Sequence, residues 1–510
     1  MNALTSELKT TVPQGAATSP SAALPAHVDV LVVGAGISGV GAAWHLRRGS
    51  PGTTFAALEE KDTFGGTWVT HRYPGIRSDS DLYTFGYRFK PWVGTPIATA
   101  EEILRYMGEV ITENDLGRSI HYRKRITQAG WSSERQRWQL EVLDLDSGNT
   151  RSITCNFPWM CQGYYRHDQG YTPAWPGMAR FQGRRVHPQN WPEDLDFTDR
   201  RVLVIGSGAT AATLIPAMVA QCRHITMLQR SPTFFRIGRN ANDLADQLRA
   251  LEVDETWIHE ITRRKILAEQ GEFARKAREH PAAVKKFLLD PVRELLGDDQ
   301  LVAEHFTPRY RPWQQRVAFV PDADLFKAVA SGKASVVTDE IETFTETGVR
   351  LKSGRTLEAD LIVTATGFHL SAFGGIPFEV DGRLLDLHDT VAWRGAMFTG
   401  VPNLLWVFGY LRWSWTLRVD LLGDFVNRLL AHMHARGAQV VVPQLRPQDQ
   451  GMALKPWIEA DNFNPGYLVR GMHLMPQQGS HEPWLHTQDY ELERKTLPTA
   501  DLDDGTLKFS

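Results

Sequence analysis

Two glycine-rich loops, far apart in the chain, stand where dinucleotide phosphates would be held. Gly34-Ala35-Gly36-Ile37-Ser38-Gly39 has the pattern G-x-G-x-x-G, and Gly206-Ser207-Gly208-Ala209-Thr210-Ala211 repeats it with Ala in the last place. In such a loop the first Gly makes a tight turn and the second lets the backbone approach a pyrophosphate. The third lets a helix pack on the preceding strand, with the helix N-terminus facing the phosphates. One charged residue follows each loop at matching distance. Glu59 lies 20 residues after Gly39, and Arg230, followed by Ser231, lies 19 after Ala211. A carboxylate accepts from free ribose hydroxyls, whereas a guanidinium suits the 2′-phosphate of NADP. The first loop is therefore expected to take FAD or NAD, and the second NADP. The bland alternatives are a structural turn and an ordinary exposed arginine.

Other residues could serve the same chemistry. Gly65-Gly66-Thr67-Trp68 and the run from Arg72 through Tyr73-Pro74-Gly75 to Asp79 mark irregular backbone. A loop of this kind just after a ribose-binding strand can lie along a flavin ring. Locally, Asp79 and Arg77 would make a plain surface ion pair. Between the two loops, Phe181-Gln182-Gly183-Arg184-Arg185-Val186-His187-Pro188-Gln189-Asn190-Trp191-Pro192 is either a Pro-rich linker or a segment that couples two halves. Alone, His187 would be a structural hydrogen-bonder. The three cysteines, Cys155, Cys161 and Cys222, contain no C-x-x-C pair, so a dithiol acceptor and a cysteine zinc site are both excluded. No metal ligand set and no haem or iron–sulfur pattern is visible. Hydride passed from NADPH to flavin must then go on to oxygen or to an outside acceptor. Productive use of oxygen requires exclusion of water and a fixed cation facing the reacting atoms.

These loops need elements to position them. Val28–Val33 is an apolar run expected as a buried parallel strand, residues 40–48 as a helix, and Thr54–Leu58 as the strand that ends at Glu59. Residues 101–116 read as a helix and 121–154 as strands with a turn at Ser147-Gly148-Asn149. The second half repeats the plan with strands Arg201–Ile205 and His224–Gln229. Residues 240–305 are charged and helical, with an apolar stripe through Leu244, Leu248 and Leu251. They are expected as an insertion packed on its own domain, with a peripheral membrane-surface helix as the alternative. The stretch 317–321 leads to a helix expected at Asp324–Ala330, with strands at 334–337, 349–351, 361–364 and 404–409 and a helix at 419–430.

The fold class is α/β with two Rossmann-like dinucleotide-binding domains and a helical insertion in the second. The first, FAD-binding domain takes residues 27–170 and 356–495, and the NADP-binding domain takes 171–355. Residues 1–26 and 496–510 are expected as tails, the former disordered. At 510 residues, with 42% hydrophobic and 23% charged residues, the chain has globular composition and room for two or three domains. A net charge of -3 gives no case for nucleic acid. No run of about 18 apolar residues and no basic leader exists, which with reduced thiols points to a cytoplasmic protein. Most of the 16 tryptophans are expected in cores, with some lining a ligand cavity.

Phe181-x-Gly183-x-x-x-His187-x-x-x-Trp191-Pro192 resembles the fingerprint of the type I Baeyer–Villiger monooxygenases. Gly65-Gly66-Thr67-Trp68, Tyr73-Pro74-Gly75 and Asp79 resemble their second motif. The resemblance runs from about residue 28 to residue 490. It is nearest the ethionamide-activating group through Tyr73–Tyr83, His187–Asp196, Pro321–Leu325 and Val363–Gly367. It implies FAD and NADPH as cofactors, O2 as co-substrate, and insertion of one oxygen atom beside a ketone carbonyl, with sulfoxidation of thioethers as a side activity. It implies Arg316 as the arginine that stabilises the reacting oxygens and Asp79 as the residue that orients it. It further implies Arg230 as the 2′-phosphate ligand and His187 as a link between domain movement and the reaction. Two departures stand out. Gln315 replaces a lysine that helps to bind the NADP phosphate, and Leu411-Arg412-Trp413-Ser414-Trp415 replaces smaller polar residues. If that loop lines the pocket, Arg412 and Trp413 change the substrate taken; otherwise they face solvent. The other readings are a flavin-containing N- or S-oxygenase and a non-catalytic dinucleotide sensor.

Overall fold

The computed structural model describes residues 23–510. The expected N-terminal tail lies outside the described residues up to position 22; beyond it, Leu24 is already buried in a core. The strand His27–Val33 runs parallel between Thr150–Met160 and Phe55–Leu58. Ile120–His121 extends the sheet on one side. Arg137–Asp144 and Lys124–Ser132 extend it antiparallel on the other, and short strands from 378–384 finish it. Val30 and Val32 face the helices Ile37–Gly49 and Thr416–Arg436, while Leu31 and Val33 face a layer rich in tryptophan, including Trp138, Trp406 and Trp457. Where a strand is covered on both faces it is apolar at successive positions, which is why Val30–Val33 does not alternate.

The second half is a five-stranded parallel sheet in the order Ala334–Thr338, His224–Gln229, Arg201–Ile205, Leu361–Thr364, Arg184–Val186. Leu361–Thr364 therefore lies inside this sheet. The strand Thr356–Glu358 belongs to the same half, in a three-stranded antiparallel sheet packed against Leu203 and Leu228. The expected return to the first half at 355/356 is thus corrected to a point after Thr364. Hydrogen-bond partnership decides it, and an apolar run alone does not say which sheet it joins. The two connections between the halves, Tyr165–Gly170 and Phe368–Leu370, pair antiparallel as a two-stranded ribbon.

Two further expectations change. The insertion forms the helices Asp243–Ala250, Glu255–Glu279, Pro281–Leu296 and Asp299–His305. Pro281–Leu296 packs on its own half, but Glu255–Glu279 puts Ile258 and Ile266 into the core of the first half. Residues 496–510 are no tail. Leu497, Leu502 and Leu507 are buried, and Leu507–Phe509 pairs antiparallel with Val441–Pro443. Among the described residues no helix is long and apolar enough to cross a membrane.

Candidate active site

A cavity of about 1640 Å³ runs between the two halves. Gly34, Gly36 and Glu59 line one end, and Gly206, Ser207, Gly208, Ala209, Thr210, Arg230 and Ser231 line the other. The helix Ile37–Gly49 starts directly from Gly36, so its free N–H groups point into the first end. A Cβ on Gly39 would stand 1.9 Å from the Gly34 carbonyl oxygen, so no side chain fits there. Gly39 packs behind the cavity, as does Ala211, which is fully buried on the helix Ala209–Met218. Glu59 accepts from the Ala35 N–H at 2.7 Å and from the Lys61 N–H at 2.9 Å, which fixes its carboxylate beside the loop. The two-glycine motif closes on the same place: a Cβ on Gly66 would meet the Gly36 Cα at 2.9 Å. Thr67 Oγ1 shares a hydrogen bond of 3.1 Å with the Tyr165 hydroxyl, and Trp68 lines the cavity wall. At the far end Ser207 Oγ is hydrogen-bonded to Thr233 Oγ1 at 2.9 Å.

Between the two ends, residues 237 positions apart meet. Arg316 donates to Asp79 through Nε at 2.6 Å and Nη2 at 2.7 Å, and through Nη1 to the Leu411 carbonyl at 3.2 Å. Burial opposes the Arg316 charge, but the Asp79 carboxylate outweighs it and holds the guanidinium pKa above the ordinary arginine value. The local Arg77–Asp79 pair does not form, because Arg77 donates to Asp324 instead, at 2.6 Å. Aromatic rings surround Arg316. Tyr164 stacks on Trp415 with centroids 5.2 Å apart, and Tyr467 and Trp413 complete the wall. Burial pushes the phenols of Tyr164 and Tyr467 up, so both stay protonated donors. Of the two questioned loop residues, Trp413 lines the cavity and Arg412 turns away to Asn462 and the Trp313 carbonyl. Burial pulls the Arg412 pKa down to about 10.

Comparison with known proteins fits this geometry. Residues 96–243 match the model of flavin-binding monooxygenase-like proteins, and residues 32–93 match that of the NAD(P)-binding Rossmann-like domain. The chain is 43% identical over 489 residues to MymA of Mycobacterium tuberculosis, covering 95% of this chain and 98% of that one. It is 41% identical over 486 residues to the FAD-containing monooxygenase EthA of the same organism, covering 95% and 98%. The chain belongs to the flavin-binding monooxygenase family. A solved structure of an oxidized steroid monooxygenase bound to NADP matches this monooxygenase with a TM-score of 0.74 at 25% identity, over 95% of this chain and 99% of that one. An open structure of cyclohexanone monooxygenase shares the fold, with a TM-score of 0.71 at 19% identity, over 95% and 100%.

The monooxygenase's first loop fits FAD. Its glycines leave no Cβ in the way, and the fixed Glu59 carboxylate keeps lone pairs for ribose hydroxyls. The stretch Phe181–Pro192 lies outside the cavity. Phe181 is buried against Phe344, a Cβ on Gly183 would meet the Asp360 carbonyl at 2.6 Å, and Trp191 packs edge-on to Phe197 with Pro192 following. His187 takes its Nδ1 bond from the Gln189 N–H at 3.1 Å, which leaves Nε2 to donate to the Gly367 carbonyl at 3.2 Å. Its ring fills the space above Gly170, where a Cβ would stand 1.9 Å away. Gly170 ends one ribbon strand and Gly367 precedes the other, so His187 is wedged against both connections between the halves. Tyr164, Tyr165 and Tyr467 were not singled out by the sequence reading. Their only signal was position, directly after Gln162-Gly163 and after Asn464-Pro465-Gly466.

Proposed function

We propose that this monooxygenase uses FAD and NADPH to insert one oxygen atom beside a ketone carbonyl, giving an ester or lactone. The observation that carries the reading is the two-pronged Asp79–Arg316 bridge in the cavity between an acid-ended and an arginine-ended nucleotide site. FAD, reduced by NADPH, supplies the activation of O2. The protein's part is positioning, charge stabilisation and exclusion of water. Arg316 has five N–H groups, of which Asp79 and Leu411 take three. The remaining two are held in fixed directions for a carbonyl oxygen that gains negative charge. Asp79 keeps the guanidinium plane from rotating, so no reorganisation is needed as charge develops. Tyr164, Trp413, Trp415 and Tyr467 keep the surroundings poor in water, which strengthens that interaction. Glu59 serves the FAD ribose, and Arg230 with Ser231 serves the NADP 2′-phosphate. Phe181, Gly183, His187, Trp191 and Pro192 serve as the coupling segment at the ribbon.

The test is a panel of aliphatic and aromatic ketones and thioethers with NADPH consumption and product measured together. Ester or lactone formation matched to NADPH consumption is expected, with some sulfoxide from thioethers. Sulfoxide without any ester would instead make the protein a heteroatom oxygenase, and NADPH binding with no turnover would make it a sensor.

A further inference from the structure

Most cations that line the cavity are neutralised. Arg316 faces Asp79, Arg166 faces Asp168, and Lys352 faces Glu340. Three cavity cations, Lys61, Arg230 and Arg470, have no side-chain hydrogen bond or ion pair among the described residues; Lys61 lies beside Glu59 at the first end, and Arg230 acts at longer range on Glu340, which Lys352 already holds. Arg470 comes from the other half of the molecule, on the short helix Gly466–Gly471. Its guanidinium carbon stands 3.5 Å from the centroid of the Tyr171 ring, which fixes the plane and leaves the N–H edge free. Tyr171 is held in turn by the Gly367 carbonyl at the ribbon. Burial lowers the Arg470 pKa, and the nearby Arg230 charge acts in the same direction. Two guanidinium groups of like charge, drawn from different halves and facing one cavity, are a poor arrangement without an anion between them. The neighbouring Gln315 is neutral and supplies no further charge.

We propose that Arg470 is a second ligand of the coenzyme's 2′-phosphate, closing on it from the flavin half opposite Arg230. This rests on NADPH being the coenzyme. The phosphate monoester is the fitting anion because Arg230 directly follows the strand His224–Gln229, the next strand after the glycine loop, where the ribose would lie. The pyrophosphate belongs to the loop Gly206–Ala211. One helical turn before Arg470, Tyr467 faces the Asp79–Arg316 site, so one short helix touches both the coenzyme phosphate and the reaction centre.

The experiment is equilibrium titration of the FAD-loaded protein with NADP+ and with NAD+, for wild type, Arg470→Ala, Arg470→Gln and Arg470→Lys, with Arg230→Ala alongside. Thermal melts and flavin spectra check that each variant is folded. Arg470→Ala and Arg470→Gln are expected to weaken NADP+ binding about tenfold, the scale of one charge-assisted hydrogen bond. NAD+ binding should stay unchanged, and Arg470→Lys should fall between. If wild type prefers NADP+ and the Arg470 variants keep that preference, the assignment of Arg470 is overturned. Equal weakening of NADP+ and NAD+ would overturn the phosphate as its target. A wild type that does not distinguish the two coenzymes would instead overturn the NADPH reading itself.

Discussion

At the scale of single residues, the proposed chemistry rests on a charge pair that no local pattern joins. Asp79 lies two residues after Arg77 in sequence, yet Arg77 goes to Asp324 and Asp79 goes to Arg316. Pairing with the distant partner orients a guanidinium inside the cavity, whereas the local pair would have been a surface bridge worth little. Asp79→Asn keeps a similar volume but removes the charge and one of the two accepted bonds. Arg316 would then swing, and the donors aimed at the carbonyl oxygen would lose their direction. Oxygenated product is expected to fall about 100-fold, the usual scale for one preorganised donor. NADPH consumption should continue, because neither nucleotide end is touched. Parallel assay of product and NADPH checks this, and a parallel loss of both would point to general misfolding of the site. The glycines, Glu59 and Arg230 could be found from spacing because they sit on consecutive elements. Tyr164 and Tyr467 could not, since they meet only after the chain has folded through both halves.

At the scale of elements, both Rossmann-like units were legible because each is local: strand, glycine loop, helix, strand, charged residue. Arg201–Ile205, His224–Gln229 and Leu361–Thr364 form as read. The insertion was legible as helices but not in its docking. Glu255–Glu279 carries mostly polar residues, and its attachment to the flavin half combines the buried Ile258 and Ile266 with one buried arginine. Arg263 donates through Nη1 to the carbonyls of Tyr83, Thr84 and Gly86 at 2.9, 3.2 and 3.0 Å. Its Nη2 lies 3.6 Å from the buried Asp420. These bonds take up carbonyl groups at the end of the short helix Leu82–Phe85. Arg263→Met fills the volume but leaves those carbonyls and part of the Asp420 charge without a partner. The expected loss is about 3 kcal/mol, in the range for breaking a buried pair from one side. It should appear as a lower melting temperature of the FAD-loaded protein. A melting temperature equal to wild type would mean that the helix is held by its apolar contacts alone. The C-terminal strand was missed for a related reason: Leu507–Phe509 is too short to be read as a strand without its partner Val441–Pro443.

At the scale of the whole molecule, two sheets are joined by one ribbon and by the insertion helix Glu255–Glu279, and neutral histidines cluster around the ribbon. His71 is pushed down to about 4, by burial first and then by His167 and His187. Burial is also the largest cause of the lowered pKa values of His167 and His187. The same holds for His259, at about 4 on the buried face of the insertion helix Glu255–Glu279, and for His486, well below the usual value in the tryptophan layer. A histidine whose folded pKa lies below its unfolded value of about 6.5 binds its proton more readily when unfolded. Its contribution to stability is complete above pH 6.5 and is lost as pH falls toward the folded value. For His71 and His259 that loss reaches about 2 kcal/mol each by pH 5. Asp81 and Glu482 act the other way, because burial raises both carboxyls, Asp81 to about 6, and protonation relieves them, but they are two groups against five histidines. The melting temperature of the FAD-loaded protein should therefore drop between pH 7.5 and pH 5. His187→Gln should flatten part of that slope, since glutamine can still donate to the Gly367 carbonyl but cannot titrate. A melting temperature constant across this range would show that the histidines at the joint take up protons without leaving their positions.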